Sequence, residues 1–504
     1  MHFSVETFRS ARKPAATFHP SNSADWVTTT LSIRHNKAMR KSLLLMMVCA
    51  LALAAHAQTP TPGVVHASVA VTADPTNSYA LYLPSAYTPA KQWPLLLAFD
   101  PAGRGEVPVK LFHDAAEKYG FIVVGSNNSR NFENPANAVR LLGQDVEDRY
   151  SIDRQRVYVA GLSGGARVAT SIAVNCKTCI AGVIANGAGL PSSAPLPGPE
   201  VSDLFLVAGT TDFNYSELLH LKEALDARNA VNRFVVYDGP HTWMPPEFAD
   251  QALAWLQLRA MVKGLTGVDK NFVNQQFEQR LAAAQAEQKN GDILAAVRDY
   301  RAITTDFKTF RDVKDQEAMA KTLAESDAFR KAKKNEAAIL ELQDTVAKKV
   351  GDLVAGISER PDERSDFFEQ LESAASDAYR QQKGTSNLAQ KQAITRGLAS
   401  AFAFAVENGQ KAMLKKDYAS AKEMFRACEI IQPDSPWASY LLASADAELG
   451  EKKPAVEALK KALKKGLTST KALDDNAFDR IRDDKDFQQI VASLANVKKD
   501  KTTK

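Results

Sequence analysis

The sequence predicts a two-part chain: an α/β domain built on a mostly parallel, doubly wound sheet, followed by an all-helical domain. Three observations carry this. Between residues 64 and 261, short apolar runs alternate with stretches of helical spacing, the pattern of strands joined by right-handed helical crossovers. Within that region Val157-Tyr158-Val159-Ala160 runs through Gly161-Leu162-Ser163-Gly164-Gly165 into a small-residue helical pattern, so strand, sharp turn and helix follow one another. From Asn271 onward strand signals cease, and Ala-, Glu-, Lys-, Gln- and Leu-rich runs place apolar residues three and four apart. A length of 504 residues also calls for two or three domains.

Taken in order, residues 1–57 read as a leader and signal peptide. Met39-Arg40-Lys41 supplies a basic start, residues 42–54 an apolar core too short to span a membrane, and Ala55-His56-Ala57 a small-residue cleavage site. Residues 1–38, without a hydrophobic period, lie upstream of what reads as the true start at Met39. Export to the periplasm or the extracellular space is therefore expected, with no membrane span after cleavage.

The α/β domain is assigned to residues 58–266. Residues 64–71 and 79–83 alternate like strands, and 94–99 is a continuous apolar run suited to a strand covered on both faces. A helical pattern over 109–118 precedes a strand at 121–124 and an aperiodic polar loop at 125–131. Further strands are expected at 181–186, 204–209 and 231–237, and a helix over 247–261 closes the domain. Lys263-Gly264-Leu265-Thr266-Gly267 is the punctuation before the helical domain, residues 267–504.

The turn at Ser163 has the Gly-x-Ser-x-Gly pattern of a nucleophile elbow, which presents a serine hydroxyl at the carboxyl end of a sheet. A hydroxyl is a poor nucleophile near neutral pH and needs a base. Of eight histidines, four precede residue 58; His113 and His220 sit in amphipathic helical patterns and His66 in an early strand. His241 follows an apolar run and the loop Asp238-Gly239-Pro240, just beyond a strand end, and is the candidate base.

These segments resemble an α/β hydrolase, and within that fold the chain is similar to the polyhydroxybutyrate depolymerase, feruloyl esterase and acetylxylan esterase group. The residues carrying the resemblance are Leu81-Tyr82-Leu83-Pro84, Pro94-Leu95-Leu96-Leu97-Ala98-Phe99, Ile152-Asp153-Arg154-Gln155-Arg156 running into the elbow, and His241-Thr242-Trp243 with Pro245-Pro246. It spans roughly residues 64 to 260. The resemblance implies ester hydrolysis through an acyl-enzyme, with no metal or organic cofactor and a carbohydrate- or polyester-derived substrate. In that family the acid falls between serine and histidine, which selects Asp212, at the end of the apolar run 204–209. Asp203 stands at the wrong end of that run and Asp238 is placed for a local turn; a plain Asx turn is the other reading of Asp212.

One departure concerns the oxyanion site. Where the family usually carries His-Gly, this chain reads Asp100-Pro101-Ala102-Gly103-Arg104. Pro101 has no N–H, so the donors would be the Gly164 amide with that of Ala102 or Gly103. Asp100 would repel a developing oxyanion unless it turns away or pairs with Arg104. Phe99, Asn127 and Trp243 fall at the same sheet edge as candidate substrate contacts; the polar loop 125–131 that holds Asn127 is a candidate pocket wall, with an ordinary solvated turn as its other reading and a core position that of Trp243.

Cys176 and Cys179, after the elbow helix, are placed for a local disulfide in an oxidising compartment, and no second ligand pair accompanies them for zinc. A net charge of +4 with 45% hydrophobic and 24% charged residues is ordinary for globular protein and points to no nucleic acid. The basic residues 498–501 read as a solvated chain end.

Near the C-terminus Lys416, Ala421, Phe425 and Cys428 are followed 34 positions later by Gly450, Ala455, Leu459 and Ala462 (416 to 450). This is similar to a tetratricopeptide repeat, whose stacked helix pairs offer a surface to peptides or protein partners. Gly291-Asp292, Ala296 and Tyr300 repeat the spacing out of phase, and residues 307–410 are helical without a clear phase. The expected function is an exported serine esterase with a repeat domain for a partner. Its rivals are a peptidase of the same fold and a weakly active or inactive scaffold acting through its repeats.

Overall fold

The structure, a computed structural model, describes residues 60–198 and 202–502. The leader and signal-peptide segment, residues 1–57, lies outside the described residues. Residues 60–504 make one compact unit, in which the helical region packs directly on the α/β region.

Eight strands form one sheet: β1 (Val65–Val71), β2 (Asp74–Tyr82), β3 (Trp93–Phe99), β4 (Ile122–Ser126), β5 (Ile152–Leu162), β6 (Gly182–Asn186), β7 (Asp203–Gly209) and β8 (Asn232–Tyr237). Their spatial order is β1-β2-β4-β3-β5-β6-β7-β8. β2 runs antiparallel to β1 and β4, and every pairing from β4 onward is parallel. The parallel strands β3, β4, β6 and β7 are buried at every position, which is why they read as unbroken apolar runs rather than alternating ones. Helices α1 (Glu106–Tyr119), α2 (Ala136–Arg149), α3 (Gly164–Asn175), α4 (Tyr215–Asp226) and α5 (Pro246–Val262) cross over between or after strands. They divide between two faces: Phe112 of α1 and Trp255 and Leu256 of α5 share one core with Leu96 and Phe205. Val146 of α2, Ala169 of α3 and Leu218 of α4 share the other with Leu95, Leu97 and Val159. Helix α2 is not evident in the sequence, where only Leu141, Leu142, Asp145 and Val146 turn inward along its fourteen residues.

The helical region comprises α6 (Lys270–Lys289), α7 (Ile293–Phe307), α8 (Lys314–Glu325), α9 (Asp327–Glu359), α10 (Arg364–Gly384), α11 (Leu388–Leu414), α12 (Tyr418–Ile431), α13 (Pro436–Glu448), α14 (Lys452–Lys464) and α15 (Lys485–Thr502), with short 3-10 turns before α10 and α15. The basic stretch 498–501 is thus helical rather than frayed. The 34-residue spacing has a concrete basis. Gly291, Lys416 and Gly450 all adopt positive φ (81°, 61° and 79°) at the start of a tight interhelical turn. Asp292 and Asp417 then cap the following helix through the amides of Ala295 and Ser420. Ala421, Phe425, Cys428, Ala455, Leu459 and Ala462 are all buried where these helices cross.

Polar side chains fasten the two regions at the base of the sheet. Asp306 of α7, 2% exposed, accepts from Trp255 Nε1 at 2.9 Å and Arg280 Nη1 at 2.7 Å, with Arg259 Nη1 at 3.5 Å. Arg259 also reaches Asp203 on β7 at 3.0 Å. A buried carboxylate shared by two guanidiniums leaves uncompensated charge when one partner is removed. Asp306→Ala is expected to lower unfolding stability by about 3–5 kcal/mol in urea denaturation, with the Trp255 fluorescence transition moving to lower denaturant.

Candidate active site

The elbow is built by close backbone approach. A Cβ on Gly165 would lie 1.9 Å from the Phe99 carbonyl oxygen, and one on Gly161 would lie 2.1 Å from the Gly165 backbone, so both positions exclude side chains. Ser163 between them holds φ 54° and ψ −121°, a strained geometry for a residue with a side chain. That turn swings Ser163 to the carboxyl end of β5, half-buried, at the N-terminus of α3. Its amide donates to the Asn186 carbonyl at 2.9 Å, tying the turn to the end of β6.

His241 reaches the same edge from beyond β8. Its loop is pinned by Tyr237, whose hydroxyl donates to the Pro240 and Thr242 carbonyls at 2.7 and 2.8 Å. The buried Asn186 side chain also holds it, accepting from the Met244 amide at 2.7 Å and donating to the Thr242 carbonyl at 3.3 Å. The His241 Nδ1 lies 2.7 Å from Asp212 Oδ1, and the Phe213 ring packs on the imidazole with centroids 4.1 Å apart. Asp212 follows β7, is fully buried, and also accepts from the Asn214 amide at 2.8 Å, so it makes the Asx turn and the imidazole contact at once. Gly187, the residue after Asn186, leaves room for the Asp212–His241 pair: a Cβ there would lie 3.0 Å from His241 Nδ1 and Cε1 and 2.9 Å from Asp212 Oδ2.

A Gly-x-Ser-x-Gly turn between β5 and α3, a carboxylate after β7 and a histidine after β8, on a sheet with this strand order, decide the architecture. The fold is an α/β hydrolase. No family model matches the chain, and no curated protein matches it. Among solved structures this α/β hydrolase is similar to the S-formylglutathione hydrolase of Staphylococcus aureus, at 14% identity over 40% of this chain and 99% of that one, with a TM-score of 0.32. It is also similar to a feruloyl esterase module from Clostridium thermocellum (18% identity, 38% of this chain and 89% of that one, TM-score 0.32). A Pyrobaculum calidifontis esterase aligns at 14% identity over 44% of this chain and 93% of its own, with a TM-score of 0.32.

The loop after β3 differs from its expected role. Asp100 is fully buried and turned into its own loop, where it accepts from the Ala102 amide at 2.9 Å, Arg104 Nε at 2.9 Å and Trp243 Nε1 at 2.9 Å. The Gly103 amide donates to the Asp100 carbonyl at 2.9 Å. Both loop amides considered as oxyanion donors are therefore bonded within the hydrolase loop, while Gly164, first residue of α3, has no carbonyl to meet inside its helix. Phe99 is enclosed in the core and offers no face to substrate, whereas Trp243 is only partly buried, its Nε1 donating to Asp100 and its ring edge-on to Phe112. Asn127 holds strands together, accepting from the Gly105 amide and donating to Ser78 Oγ. Cys176 and Cys179 are joined by a disulfide. No cluster of His, Cys, Asp or Glu able to hold a metal occurs among the described residues.

Two neighbours of the site were not singled out as residues by the sequence, although the first lies in the polar loop 125–131 read there as a candidate pocket wall. The Asn131 carboxamide sits against the elbow, its Oδ1 1.9 Å from where a Gly164 Cβ would be, and the Asn131 amide donates to the Pro101 carbonyl at 2.9 Å. Phe132 beside it takes a left-handed φ of 69°. The second neighbour is Arg396, on α11 of the helical region and only 3% exposed. Its Nη1 donates to the Thr210 carbonyl at 2.8 Å, two residues before Asp212, and its guanidinium lies over the Tyr215 ring at 4.6 Å. Gln343 on α9 accepts from Arg396 Nε at 2.5 Å and donates to the Phe213 carbonyl at 3.2 Å and Ser216 Oγ at 3.0 Å. Burial holds the Arg396 pKa below the usual arginine value, against the opposing pull of Tyr215, Asp212 and Asp344. The loop that carries Asp212 is thus clamped from the helical side. Arg396→Met is expected to speed hydrogen exchange at amides 211–214 about tenfold or more, the equivalent of one lost charged hydrogen bond, while amides of β5 stay unchanged.

Proposed function

We propose that the protein is an exported serine hydrolase that cleaves carboxylic esters through an acyl-enzyme. The observation that carries this reading is the buried Asp212 carboxylate 2.7 Å from His241 Nδ1, at the sheet edge where the strained Ser163 turn emerges. With Nδ1 committed to Asp212, the His241 Nε2 is left to take the Ser163 proton as the hydroxyl attacks the ester carbonyl. It then returns that proton to the leaving alcohol, and a water repeats the cycle on the acyl-enzyme. The buried Asp212 fixes the tautomer and steadies the imidazolium. The Gly164 amide is one donor for the tetrahedral oxygen, and the Asn131 Nδ2–H is the other once the carboxamide turns that nitrogen rather than Oδ1 toward it, because the Ala102 and Gly103 amides are bonded elsewhere. Export rests on the basic and apolar pattern of residues 39–57. A partner-binding role for the repeat-like helices is a further part of the proposal, resting on the 34-residue spacing.

The committed loop amides favour one rival, a hydrolase-fold scaffold with little turnover. A fluorophosphonate probe and a panel of feruloyl, acetyl and hydroxybutyryl esters separate the two. Covalent labelling and hydrolysis by the native chain, both lost in Ser163→Ala, are expected; equal turnover by native and variant, or no labelling of either, supports the scaffold. Asn131→Ala is expected to lower kcat about 100-fold or more with KM little changed, as for loss of one oxyanion donor, in steady-state assays on the best ester of the panel.

A further inference from the structure

Far from the Ser163 edge, two buried guanidiniums converge where the sheet meets the helical region. Arg233, second residue of β8, is 9% exposed, and its guanidinium makes no hydrogen bond or ion pair with any described residue; its Nε is fully enclosed. Arg280 of α6, 8% exposed, gives Nη1 to Asp306 at 2.7 Å, while its Nε and Nη2 have no partner among the described residues. Both line one cavity of about 280 Å³, together with Gln251, Trp255, Gln276 and Gln279. The lining holds two cations and three carboxamides, and no carboxylate.

The nearby acids do not neutralise it. Asp306 is already shared by Trp255, Arg259 and Arg280, and Asp299 and Glu287 act on Arg233 only at a distance beyond ion-pair range. Burial pushes the Arg233 pKa down to about 10 and that of Glu287 up to about 7, the direction expected where charge is desolvated without adequate pairing. The terminal nitrogens of Arg233 have no hydrogen bond or ion pair among the described residues, and the enclosed Arg280 guanidinium adds a second positive charge beside them; such a site matches an oxyanion better than it matches any neutral group. The three glutamine side chains offer further donors at the rim. A cavity of this size lies at the small end of the ligand-site range, room for an ion or a short acid rather than a nucleotide.

We propose that the cleft between β8, α5 and α6 is a binding site for a small multivalent oxyanion, hydrogen-bonded by the Arg233 guanidinium with the charge of Arg280 beside it. The occupant belongs to the phosphate or short dicarboxylate class and bridges the hydrolase sheet to the first helix of the helical region. It binds the folded chain alone, so it stabilises that state by mass action.

The test is thermal unfolding of the full-length protein with increasing inorganic phosphate or malonate, ionic strength being held constant with chloride. A saturable rise in Tm with at least one of the two anions is expected, and the better anion identifies the class. In Arg233→Met the anion-free Tm should rise, since an uncompensated buried charge is removed, and the anion-dependent rise should vanish. Gln279→Glu, exposed at the rim, puts a like charge at the mouth and should raise the half-saturating concentration about tenfold or more without loss of fold. A Tm flat in both anions, or a saturable shift that both variants retain unaltered, overturns the proposal.

Discussion

A fully buried carboxylate organises the working end of this molecule. Asp212 has no exposure, so its charge must be met by what surrounds it: the His241 imidazole at 2.7 Å, the Asn214 amide at 2.8 Å, and the nearby Arg396 guanidinium. Each contact draws on a different part of the chain. The imidazole needs the loop after β8 held by Asn186 and Tyr237; the amide needs the turn into α4; the guanidinium needs α11, almost two hundred residues further on. The acid loop is therefore shared property of the sheet and of the helical region, and neither region alone supplies its environment.

This changes what the helical region is for. A repeat array hung on a linker would leave the α/β region unchanged when removed. Here Arg396 and Gln343 hydrogen-bond the backbone on either side of Asp212, and Asp306 closes an ionic knot with Arg259 and Arg280 at the base. The helical region thus touches the loop after β7 through Arg396 and Gln343, and its Asp306 meets Arg259, which also pairs with Asp203 at the start of β7. Partner binding by α12–α14 remains compatible with that role, because those helices pack on one another and on α9–α11 rather than on the sheet.

How much of this the sequence shows depends on whether a residue's task is local. The elbow is legible because Gly161, Ser163 and Gly165 must sit at fixed spacing to let backbone approach backbone, and the parallel strands are legible because burial on both faces makes them uniformly apolar. The turns at Gly291 and Gly450 share one backbone geometry and so repeat in the sequence. Lys416 occupies the same turn without a glycine, which blurs the period. Arg396 is invisible for the opposite reason, and Asn131 shows only as one of several residues in a polar loop at the carboxyl edge. A polar residue closing an aperiodic loop, and an arginine in an amphipathic helix, look like solvated positions until the fold folds them inward. The loop after β3 illustrates a third case: the residues Ala102 and Gly103 have the amides expected there, but Asp100 takes up one through its side chain and the other through its carbonyl.

In the proposed mechanism Ser163, His241 and Asp212 form one reacting unit, with Gly164 and Asn131 facing the developing oxyanion. A crystal structure of the protein after reaction with a fluorophosphonate tests it most directly. The account predicts phosphorus bonded to Ser163 Oγ, a phosphoryl oxygen within hydrogen-bond distance of the Gly164 amide and the Asn131 side chain, and the imidazole still paired with Asp212 while facing the adduct. An adduct on another residue, or a Ser163 adduct whose phosphoryl oxygen points away from both donors with His241 out of reach, would contradict it.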